Sequence, residues 1–390
     1  MSLKKTILLS ASLSILVLFG CKKEKQETIS DPGECVTGNS AGSGNIIPGK
    51  YIIAYDPSVV GARSMSRSNL LEKGQSVLEQ NNIPASRIQE VFGGESGGFI
   101  ATLTDAEAAS LRNDISVSAV EPDRIIALAT CFTVAEPRLI TWNIQRVGYG
   151  DGTGKTAWII DTGIDFDHPD LTVDATRSRS FITGVTSADD ENGHGTHVAG
   201  IIGGKNNTIG VLGVASGATL ISLRVLGADG VGTLSSIIQA LAYVNTNGKA
   251  GDVVNMSLGE DVSSPTLIQQ VQSTASRGIY IAIAAGNDGE PANKYSPANA
   301  NGANIYTVSA IDSTDKFASF SNYGNDVVDY AAPGVQILST FSNGRYAWLS
   351  GTSMAAPHMA GLLLLKGTKI TTSGFAKNDP DGTADPIVHY

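Results

Sequence analysis

The 390-residue sequence is short of charged residues, cysteine and basic residues, and each shortage excludes a class of protein. Charged residues make up 16% of the chain, against about 25% in a typical soluble protein. Hydrophobic residues make up 42%, so the chain is neither a disordered tail nor a coiled coil. Three cysteines are too few for a disulfide scaffold. Acidic residues outnumber basic ones by 37 to 27, and the net charge of −10 argues against nucleic acid as a partner, because a phosphate backbone needs a basic face.

Glycine and aspartate, by contrast, are plentiful. The 44 glycines follow no three-residue repeat, which excludes a collagen and predicts many tight turns and close backbone approaches. From Cys131 to the end there are 19 aspartates but only 4 glutamates. Aspartate favours turns and helix caps, and it is also a calcium ligand.

The first twenty residues predict an export signal. Lys4 and Lys5 precede an apolar run of 13 residues, from Ile7 to Phe19, whereas a membrane-spanning helix needs about 20. A basic flank before a short apolar run is typical of a secretory signal. The run ends in Leu-Phe-Gly-Cys, which resembles a bacterial lipobox, in which the cysteine is lipidated and becomes the mature N-terminus. We therefore expect an exported bacterial lipoprotein, held at the periplasmic or cell-surface face of a membrane by a lipid on Cys21. The alternative is an ordinary signal peptide with an incidental cysteine, and whether Cys35 and Cys131 pair is left open.

Two further segments precede the main domain. Residues 21–48 predict a flexible tether, because the chain from Lys22 to Ile46 is polar and has no apolar period. Residues 49–127 predict a small α+β domain: strand-like runs at 49–55, 98–103 and 117–120 alternate with helical spacing over 68–81 and with a capping-box start at Thr104. The last strand is followed by Glu121-Pro122-Asp123, which predicts a break, and by an apolar run at 125–128. The order strand, helix, strand, helix, strand is of the ferredoxin-like type.

Residues 155–366 predict an α/β domain with a parallel, twisted sheet flanked by helices. Apolar runs typical of buried strands occur at 157–160, 220–225, 253–256, 279–284, 305–308 and 327–331. Helical segments occur at 197–203, 234–244, 266–276 and 353–365. Continuous apolar strands that alternate with helices indicate a sheet covered on both faces. Ligands of such sheets bind beyond the carboxyl ends of the strands.

Four polar side chains stand where these strands end or helices begin. Asp161 and Asn287 each follow a strand, and His194 and Ser353 each precede a helix. A serine hydroxyl is a poor nucleophile near neutral pH and needs a base such as histidine. The base needs a buried acceptor to fix its tautomer. Free N–H groups at a helix start, together with an asparagine amide, can stabilise an oxyanion.

Three other motifs were weighed against this interpretation. Asp161-Thr162-Gly163 is also the signature of aspartic proteases, but those need two carboxylates and the chain has one such tripeptide. Gly154-Lys155-Thr156 lacks the earlier glycine of a P-loop and precedes a strand instead of following one. His194 and His197 are three residues apart without the glutamate of the usual zinc motif, so His197 is interpreted as a buried, hydrogen-bonded helix residue.

Together, the segments DTG at Asp161, HGTHVAG at His194, AAGN at Asn287 and GTSMAAPH at Ser353 resemble the subtilisin superfamily of serine proteases, and most of all its proteinase K branch. The resemblance runs from about residue 154 to residue 361. The module at 49–127, with its segments GFIATL and VEPD, resembles the inhibitory propeptide of the same family. The resemblance implies that Ser353 is the nucleophile and His194 the general base, that Asp161 orients the imidazole, and that Asn287 binds the oxyanion.

The resemblance also implies where a substrate binds. Its backbone would pair as an added strand with Ser257, Leu258 and Gly259 on one side and with the segment that begins at Leu226 and Gly227 on the other. Glu260 stands where a second glycine often follows Ser-Leu-Gly. One hypothesis is that it adds negative potential and favours a basic residue near the cleaved bond, and the alternative is a solvated loop glutamate.

A structural calcium site is implied as well, with backbone oxygens from Ala303 and Ile305 and the carboxylate of Asp329, a donor set that suits a hard cation. No organic cofactor is implied.

The sequence therefore predicts a signal peptide at 1–20, a lipidated tether at 21–48, an inhibitory propeptide at 49–127 and a subtilisin-like peptidase domain at 132–390. The predicted function is a lipid-anchored, self-processing serine endopeptidase whose partners are polypeptide substrates, its own propeptide and, through the lipid alone, a membrane. Propeptide cleavage is expected between residues 127 and 137. The alternatives are a lipoprotein that binds peptides without cutting them and a hydrolase of esters.

Overall fold

The computed structural model describes residues 44–94, 96–127, 132–134 and 140–390. The export signal with Cys21, Cys35, Cys131 and most of the segment expected to contain the propeptide cut lie outside the described residues.

Helices and strands alternate along most of the described chain. The α-helices are α1 (Arg67–Gln80), α2 (Asp105–Leu111), α3 (Trp142–Val147), α4 (His194–Gly203), α5 (Leu234–Asn247), α6 (Pro265–Ala275) and α7 (Thr352–Lys366). The first strands are β1 (Ile46–Tyr55), β2 (Ile88–Phe92), β3 (Gly98–Thr102), β4 (Val117–Ala127), β5 (Phe132–Val134), β6 (Gly150–Asp151), β7 (Thr156–Asp161), β8 (Arg179–Ser180), β9 (Ala215–Ser216) and β10 (Thr219–Arg224). The later strands are β11 (Val231–Thr233), β12 (Val253–Met256), β13 (Tyr280–Ala284), β14 (Ile305–Ile311), β15 (Tyr330–Pro333), β16 (Ile337–Phe341), β17 (Arg345–Leu349), β18 (Thr371–Phe375) and β19 (Pro386–His389).

The N-terminal module is an antiparallel sheet with the strand order β4-β1-β3-β2. Its α2 begins with the expected capping box, because Thr104 accepts a bond from the amide of Glu107 while the Glu107 carboxylate accepts one from the amide of Thr104. The sequence analysis missed β2 and predicted a break at 121–123, where β4 instead runs on as one strand. The predicted α+β architecture is confirmed, with one strand more than expected.

The large domain is built on a nine-stranded sheet with the order β18-β19-β15-β14-β13-β12-β7-β10-β8. All neighbouring strands pair in parallel except β18 and β19. Successive side chains of a strand face opposite sides of the sheet, and β7 shows the result: Trp158 and Ile160 join the apolar cluster under α5 and α6, while Ala157 and Ile159 join the cluster under α4 and α7. The predicted α/β class with helices on both faces is confirmed.

Two parts of this domain differ from the expectation. Val327 and Val328 lie in a turn, where both amides donate to the backbone oxygen of Gly324, so the strand predicted at 327–331 begins only at Tyr330. The segment after Lys366 is rich in polar residues and predicts a tail without regular structure. It forms the hairpin β18–β19 instead, and β19 joins the main sheet with Ile387 and Val388 fully buried.

The propeptide-like module lies against the N-terminal ends of α5 and α6. Strand β4 pairs antiparallel with β11, so that Ala127 lies opposite Val231 and Ile125 opposite Thr233. Glu121 accepts hydrogen bonds from the Ser264 hydroxyl at 3.0 Å and from the amide of Thr266 at 3.1 Å, at the start of α6. Carboxylates at this position are favoured because helix N-termini carry a partial positive charge.

No helix within the described ranges is both long and apolar enough to cross a membrane.

Candidate active site

A buried carboxylate and a buried imidazole are hydrogen-bonded at the carboxyl edge of the main sheet. Asp161 is the last residue of β7, and His194 is the first residue of α4. The Nδ1 of His194 lies 2.7 Å from Oδ1 of Asp161, and the two residues are 1% and 0% exposed. The same Asp161 oxygen accepts the amide of Thr162 at 2.7 Å, which holds the carboxylate in place. A bond at Nδ1 fixes the imidazole tautomer and leaves Nε2 as the reactive nitrogen.

Glycines on both sides of His194 let α4 approach its neighbours. Gly193 has φ +112°, and a Cβ built there would lie 2.3 Å from the Cζ atom of Phe341. At Gly195, a Cβ would lie 2.1 Å from the backbone oxygen of Gly163. Any larger residue at these two positions would displace the imidazole from Asp161.

Ser353 is the second residue of α7 and is 4% exposed. Its hydroxyl donates to the backbone oxygen of Ser257 at 3.1 Å, and the Ser257 hydroxyl donates back to the backbone oxygen of Ser353 at 2.8 Å. Pro357 explains the second bond: it has no N–H to donate to the carbonyl four residues earlier, so Ser257 supplies that donor. Pro357 was expected in the first helical turn, but it is the sixth residue of the helix.

The structure therefore joins two of the three expected catalytic residues by a hydrogen bond. His194 Nε2 is buried and has no hydrogen-bond partner among the described residues. The third, Ser353, lies on α7, which packs against α4, but its hydroxyl is bonded to Ser257 and not to His194. Nucleophile and base often come within bonding distance only when substrate is bound.

Asn287 lies beyond the carboxyl end of β13 and is tied to the start of α7. Its Oδ1 accepts the amide of Thr352 at 2.8 Å and the Thr352 hydroxyl at 3.0 Å. The carbonyl end of the side chain is thus occupied, and the NH₂ end is the one left to donate. Because Asn287 is bonded to Thr352, the residue directly before Ser353, its NH₂ group is held close to the backbone N–H of Ser353, the other expected oxyanion donor.

His197 is a buried structural residue, as interpreted from the sequence. Its Nε2 lies 3.0 Å from the backbone oxygen of Ile337 and 3.1 Å from that of Ala347. Burial lowers the pKa of His197 to about 3, so the ring is neutral at physiological pH. It ties α4 to the β16–β17 hairpin and has no bond to Asp161 or Ser353.

The two expected substrate-binding segments border the same edge. Ser257, Leu258 and Gly259 directly follow β12, and Leu226 and Gly227 follow β10. Leu226 and Leu258 belong to one buried apolar cluster, which also contains Ile126 of the propeptide strand. The strand β4 thus reaches the wall of the cleft and ends, as described, at Ala127.

Glu260 is not the solvated loop residue that was one alternative. It is 2% exposed, and its backbone exchanges hydrogen bonds with Ser296. Burial is the largest influence on this carboxyl and raises its pKa to about 8.

The three expected calcium ligands lie near the start of two neighbouring strands. Ile305 begins β14, Ala303 lies in the loop before it, and Asp329 directly precedes β15. Asp329 accepts the amide of Thr307 at 2.8 Å, and burial raises its pKa to about 6. A buried carboxyl beside backbone carbonyls fits a hard cation. Within the described ranges no group of three or more His, Cys, Asp or Glu side chains could hold a metal ion.

Comparisons with known proteins agree with this geometry. The model of the Subtilase family matches residues 152–370, and that of the Peptidase inhibitor I9 family matches residues 50–129. The first match covers more than half of the sequence. The chain belongs to the subtilase family.

Individual relatives support the same conclusion. Alkaline serine exoprotease A of Vibrio alginolyticus is 36% identical over 82% of this chain, which spans only 60% of that relative's length. M-protease of Shouchella clausii is 42% identical over 67% of each chain. Subtilisin BL of Lederbergia lenta is 46% identical over 58% of this chain and 83% of its own.

A solved structure shares the fold. The crystal structure of a cold adapted subtilisin-like serine proteinase superposes with a TM-score of 0.58 and 32% identity, covering 65% of this chain and 98% of the other. The predicted enzyme class, a serine-type endopeptidase of the subtilisin family, is confirmed at the level of the family.

Sequence reasoning missed the residues that join the two domains. Asp123 and Glu121 stand in the segment that pointed to a propeptide, but their partners Ser235 and Ser264 are more than 100 residues away along the chain. The sequence did contain one indication of this junction, because two acidic residues stand close together at the end of a domain that is expected to bind another surface.

Proposed function

We propose that this subtilase is an exported, lipid-anchored serine endopeptidase made as a self-processing zymogen, with Asp161, His194 and Ser353 as its catalytic triad. The observation that carries the proposal is the buried 2.7 Å contact between Asp161 and His194, which leaves the imidazole Nε2 unpartnered among the described residues. A free, buried imidazole nitrogen beside a helix that presents a serine is the arrangement that nucleophilic catalysis needs.

The chemistry follows from the roles of these atoms. The Ser353 hydroxyl leaves the Ser257 carbonyl, gives its proton to Nε2 of His194 and attacks the carbonyl carbon of the substrate. Asp161 stabilises the imidazolium that forms. The Asn287 amide and the backbone N–H of Ser353 donate to the developing oxyanion. His194 then protonates the leaving amine, and water repeats the sequence to release the acyl group.

The module at 49–127 supplies the inhibition in this proposal. Its last described strand, β4, pairs with β11 beside the substrate segment that begins at Leu226, and the docked module would block access to that segment. Cleavage between residues 127 and 137 would separate the module, which would remain docked until released.

Self-processing is tested by Ser353→Ala. We expect this variant to accumulate the uncut chain, while the control Ser373→Ala, on the exposed strand β18, is cut normally. Mass spectrometry of the purified protein should give the mature N-terminus and a covalent adduct on Ser353 after treatment with a serine-directed inhibitor. Normal trimming of Ser353→Ala would mean that another protease does the work.

The role of Asp161 is tested by Asp161→Asn. An amide cannot fix the imidazole tautomer, so kcat should fall by about four orders of magnitude. Equal kcat values for this variant and the unchanged enzyme would contradict the triad.

A structural calcium ion bound by Ala303, Ile305 and Asp329 is part of the proposal. When bound it would supply positive charge to a carboxyl that burial otherwise holds near pKa 6. Chelation should lower the melting temperature, and Asp329→Asn should remove the calcium-dependent part of it. A melting temperature indifferent to both would refute this site.

Lipidation of Cys21, the membrane location and membership of the proteinase K branch rest on the sequence motifs alone. Labelled fatty acid should enter the unchanged chain but not Cys21→Ser.

Two rival functions predict different results. A protein that binds peptides without cutting them would not cleave casein, and an ester hydrolase would prefer esters over matched peptides. The peptidases among the relatives favour the endopeptidase.

A further inference from the structure

Glu260 is a buried carboxyl without a hydrogen-bond partner, at the junction of the propeptide and the peptidase domain. Only 2% of its surface is exposed, and neither of its carboxyl oxygens has a partner among the described residues. Its backbone, in contrast, is fixed: the amide donates to Ser296 at 2.9 Å, and the carbonyl accepts from Ser296 at 3.2 Å. Buried polar groups are nearly always hydrogen-bonded, so a carboxyl held in place without a partner requires an explanation.

The charges around Glu260 come from the propeptide strand and from its own loop. Arg124 on β4 attracts the carboxylate and lowers its pKa, while Glu121 and Asp123 on the same strand and the adjacent Asp261 raise it. The Arg124 guanidinium donates to the backbone oxygen of Gly44 at 2.6 Å, and a Cβ built at Gly44 would lie 2.2 Å from Oδ1 of Asp261. The guanidinium is therefore held beside the loop that carries Glu260, without a bond to the Glu260 carboxyl. Arg124 is therefore the basic side chain that opposes the effect of burial.

The end of the propeptide strand lies beside one of the two segments expected to bind substrate, because Ile126 lies opposite Gly232, which is bridged in turn to Leu226. Ile126, two residues after Arg124, is fully buried in the apolar cluster that contains the cleft residues Leu226 and Leu258. Because the expected cut follows β4, both propeptide residues lie on the amino-terminal side of that bond. One side chain fills the apolar wall of the cleft, and the other brings a cation to Glu260.

Building on the proposed function, we propose that Glu260 is a specificity-determining residue that selects cationic peptides. It favours substrates with arginine or lysine two positions before the side chain that fills the apolar wall, the position that Arg124 takes in the zymogen. A neutral side chain at that position would desolvate the Glu260 carboxylate without providing a compensating opposite charge, and an acidic side chain would repel it. A guanidinium replaces the lost water with an opposite charge.

The test uses the self-processed enzyme and quenched fluorescent peptides Gly-Xaa-Ile-Ile-Ala-Leu-Ala-Thr-Gly, which copy residues 125–130 after Xaa. With Xaa as Arg, Gln or Glu, we expect kcat/KM at pH 9 to be about tenfold higher for Arg than for Gln, and lowest for Glu. At pH 6 the Arg-to-Gln ratio should fall to within about twofold, because burial under a bound chain keeps Glu260 largely protonated there. Any effect of pH on the catalytic groups themselves is common to all three peptides and cancels in the ratio.

The variant Glu260→Gln should lose the preference at both pH values. The matched control is Glu290→Gln, which removes the same charge from an exposed side chain that pairs with Lys294, and it should keep the preference. If both variants lost the preference for arginine equally, the inference would be overturned, because the preference would then come from the overall negative charge of the enzyme and not from Glu260.

Cleavage of all three peptides at one rate by the unchanged enzyme would also overturn it, while leaving the endopeptidase itself intact. If neither casein nor any of the three peptides is cut, the proposed function fails and this inference with it, whereas cleavage of casein but of none of the peptides would overturn this inference alone. Should Glu260→Gln not be processed, the ratio measured with the unchanged enzyme decides: a rise from pH 6 to pH 9 supports the inference, and a flat ratio refutes it.

Discussion

Asp123 joins the propeptide to the first turn of α5 through a carboxylate that solvent does not reach. It accepts the amide of Ser235 at 3.0 Å and the Ser235 hydroxyl at 2.6 Å, and it forms an ion pair with Lys50 at 2.8 Å. The Asp123 side chain is fully buried, and that of Lys50 is 25% exposed. Replacing Asp123 by alanine therefore removes two bonds across the domain junction and leaves a partly hydrated ammonium behind.

The size of the effect follows from these contacts. Asp123 and Lys50 both belong to the propeptide module, so their ion pair persists when the junction opens and the two bonds to Ser235 set the effect. A hydrogen bond to a charged group contributes about 1.5–3 kcal/mol, and two such bonds at the lower end of that range give about 3 kcal/mol. A loss of about 3 kcal/mol corresponds to roughly a hundredfold in the equilibrium for opening the junction. Asp123→Asn keeps one acceptor oxygen and loses only the charge, so a smaller effect of about tenfold is expected.

Amide hydrogen exchange in the uncut Ser353→Ala chain measures this opening directly. Peptides that cover residues 231–240 should exchange about a hundredfold faster after Asp123→Ala is added. The matched control is Asp56→Ala, because Asp56 is exposed and bonds only within its own turn, to Ser58. Unchanged exchange at 231–240, or equal acceleration by the control, would refute the reasoning.

Three further outcomes are expected. Burial in the docked state raises the pKa values of Glu121 and Glu260, so the docked state binds more protons than the open one. Raising the pH from 5 to 8 should therefore speed exchange at the junction at least about tenfold after division by the intrinsic amide exchange rate at each pH; a corrected rate that does not change with pH would contradict this. Ser257→Ala leaves the Ser353 carbonyl without a donor, so the melting temperature should fall by a few degrees, and adding Pro357→Ala, which restores an N–H, should recover part of the loss in calorimetry. Because the buried His197 has a pKa of about 3, the unfolded chain takes up a proton below about pH 6.5 that the folded chain does not. Acidification from pH 7 to 4 should therefore lower the melting temperature, and His197→Gln should reduce that fall.

The architecture of the large domain could be predicted because its strands are buried on both faces. Such strands appear in the sequence as continuous apolar runs, and that at 253–256 coincides with β12. Where an apolar run did not form the predicted strand, local backbone hydrogen bonds determined the structure. Val327 and Val328 are apolar enough for a strand, but Gly324 draws their amides into a turn. The hairpin strand β18 is exposed along its whole length, so no apolar period could reveal it.

The site was predictable as a set of residues but not as a hydrogen-bond network. The motifs placed Asp161, His194 and Ser353 at one edge of the sheet, and the contact between the first two follows from that edge. The bond from the Ser257 hydroxyl to the Ser353 carbonyl could not be foreseen, because it joins positions 96 residues apart and replaces the N–H donor that Pro357 lacks. The junction at Asp123 depends in the same way on contacts between distant segments.

Both helices that receive propeptide carboxylates also carry caps of their own. Thr233 accepts the amide of Ser236 at the start of α5, and Ser264 accepts that of Leu267 at the start of α6. Loss of the propeptide leaves these caps in place and exposes the remaining amides to water, so release should not unfold the peptidase domain. What release does change is the edge of β11, which loses its partner strand β4. A propeptide would be hard to remove if every buried polar group at its interface had a hydrogen-bond partner. The unpartnered carboxyl of Glu260 weakens the docked state and leaves the same residue ready to meet a substrate cation.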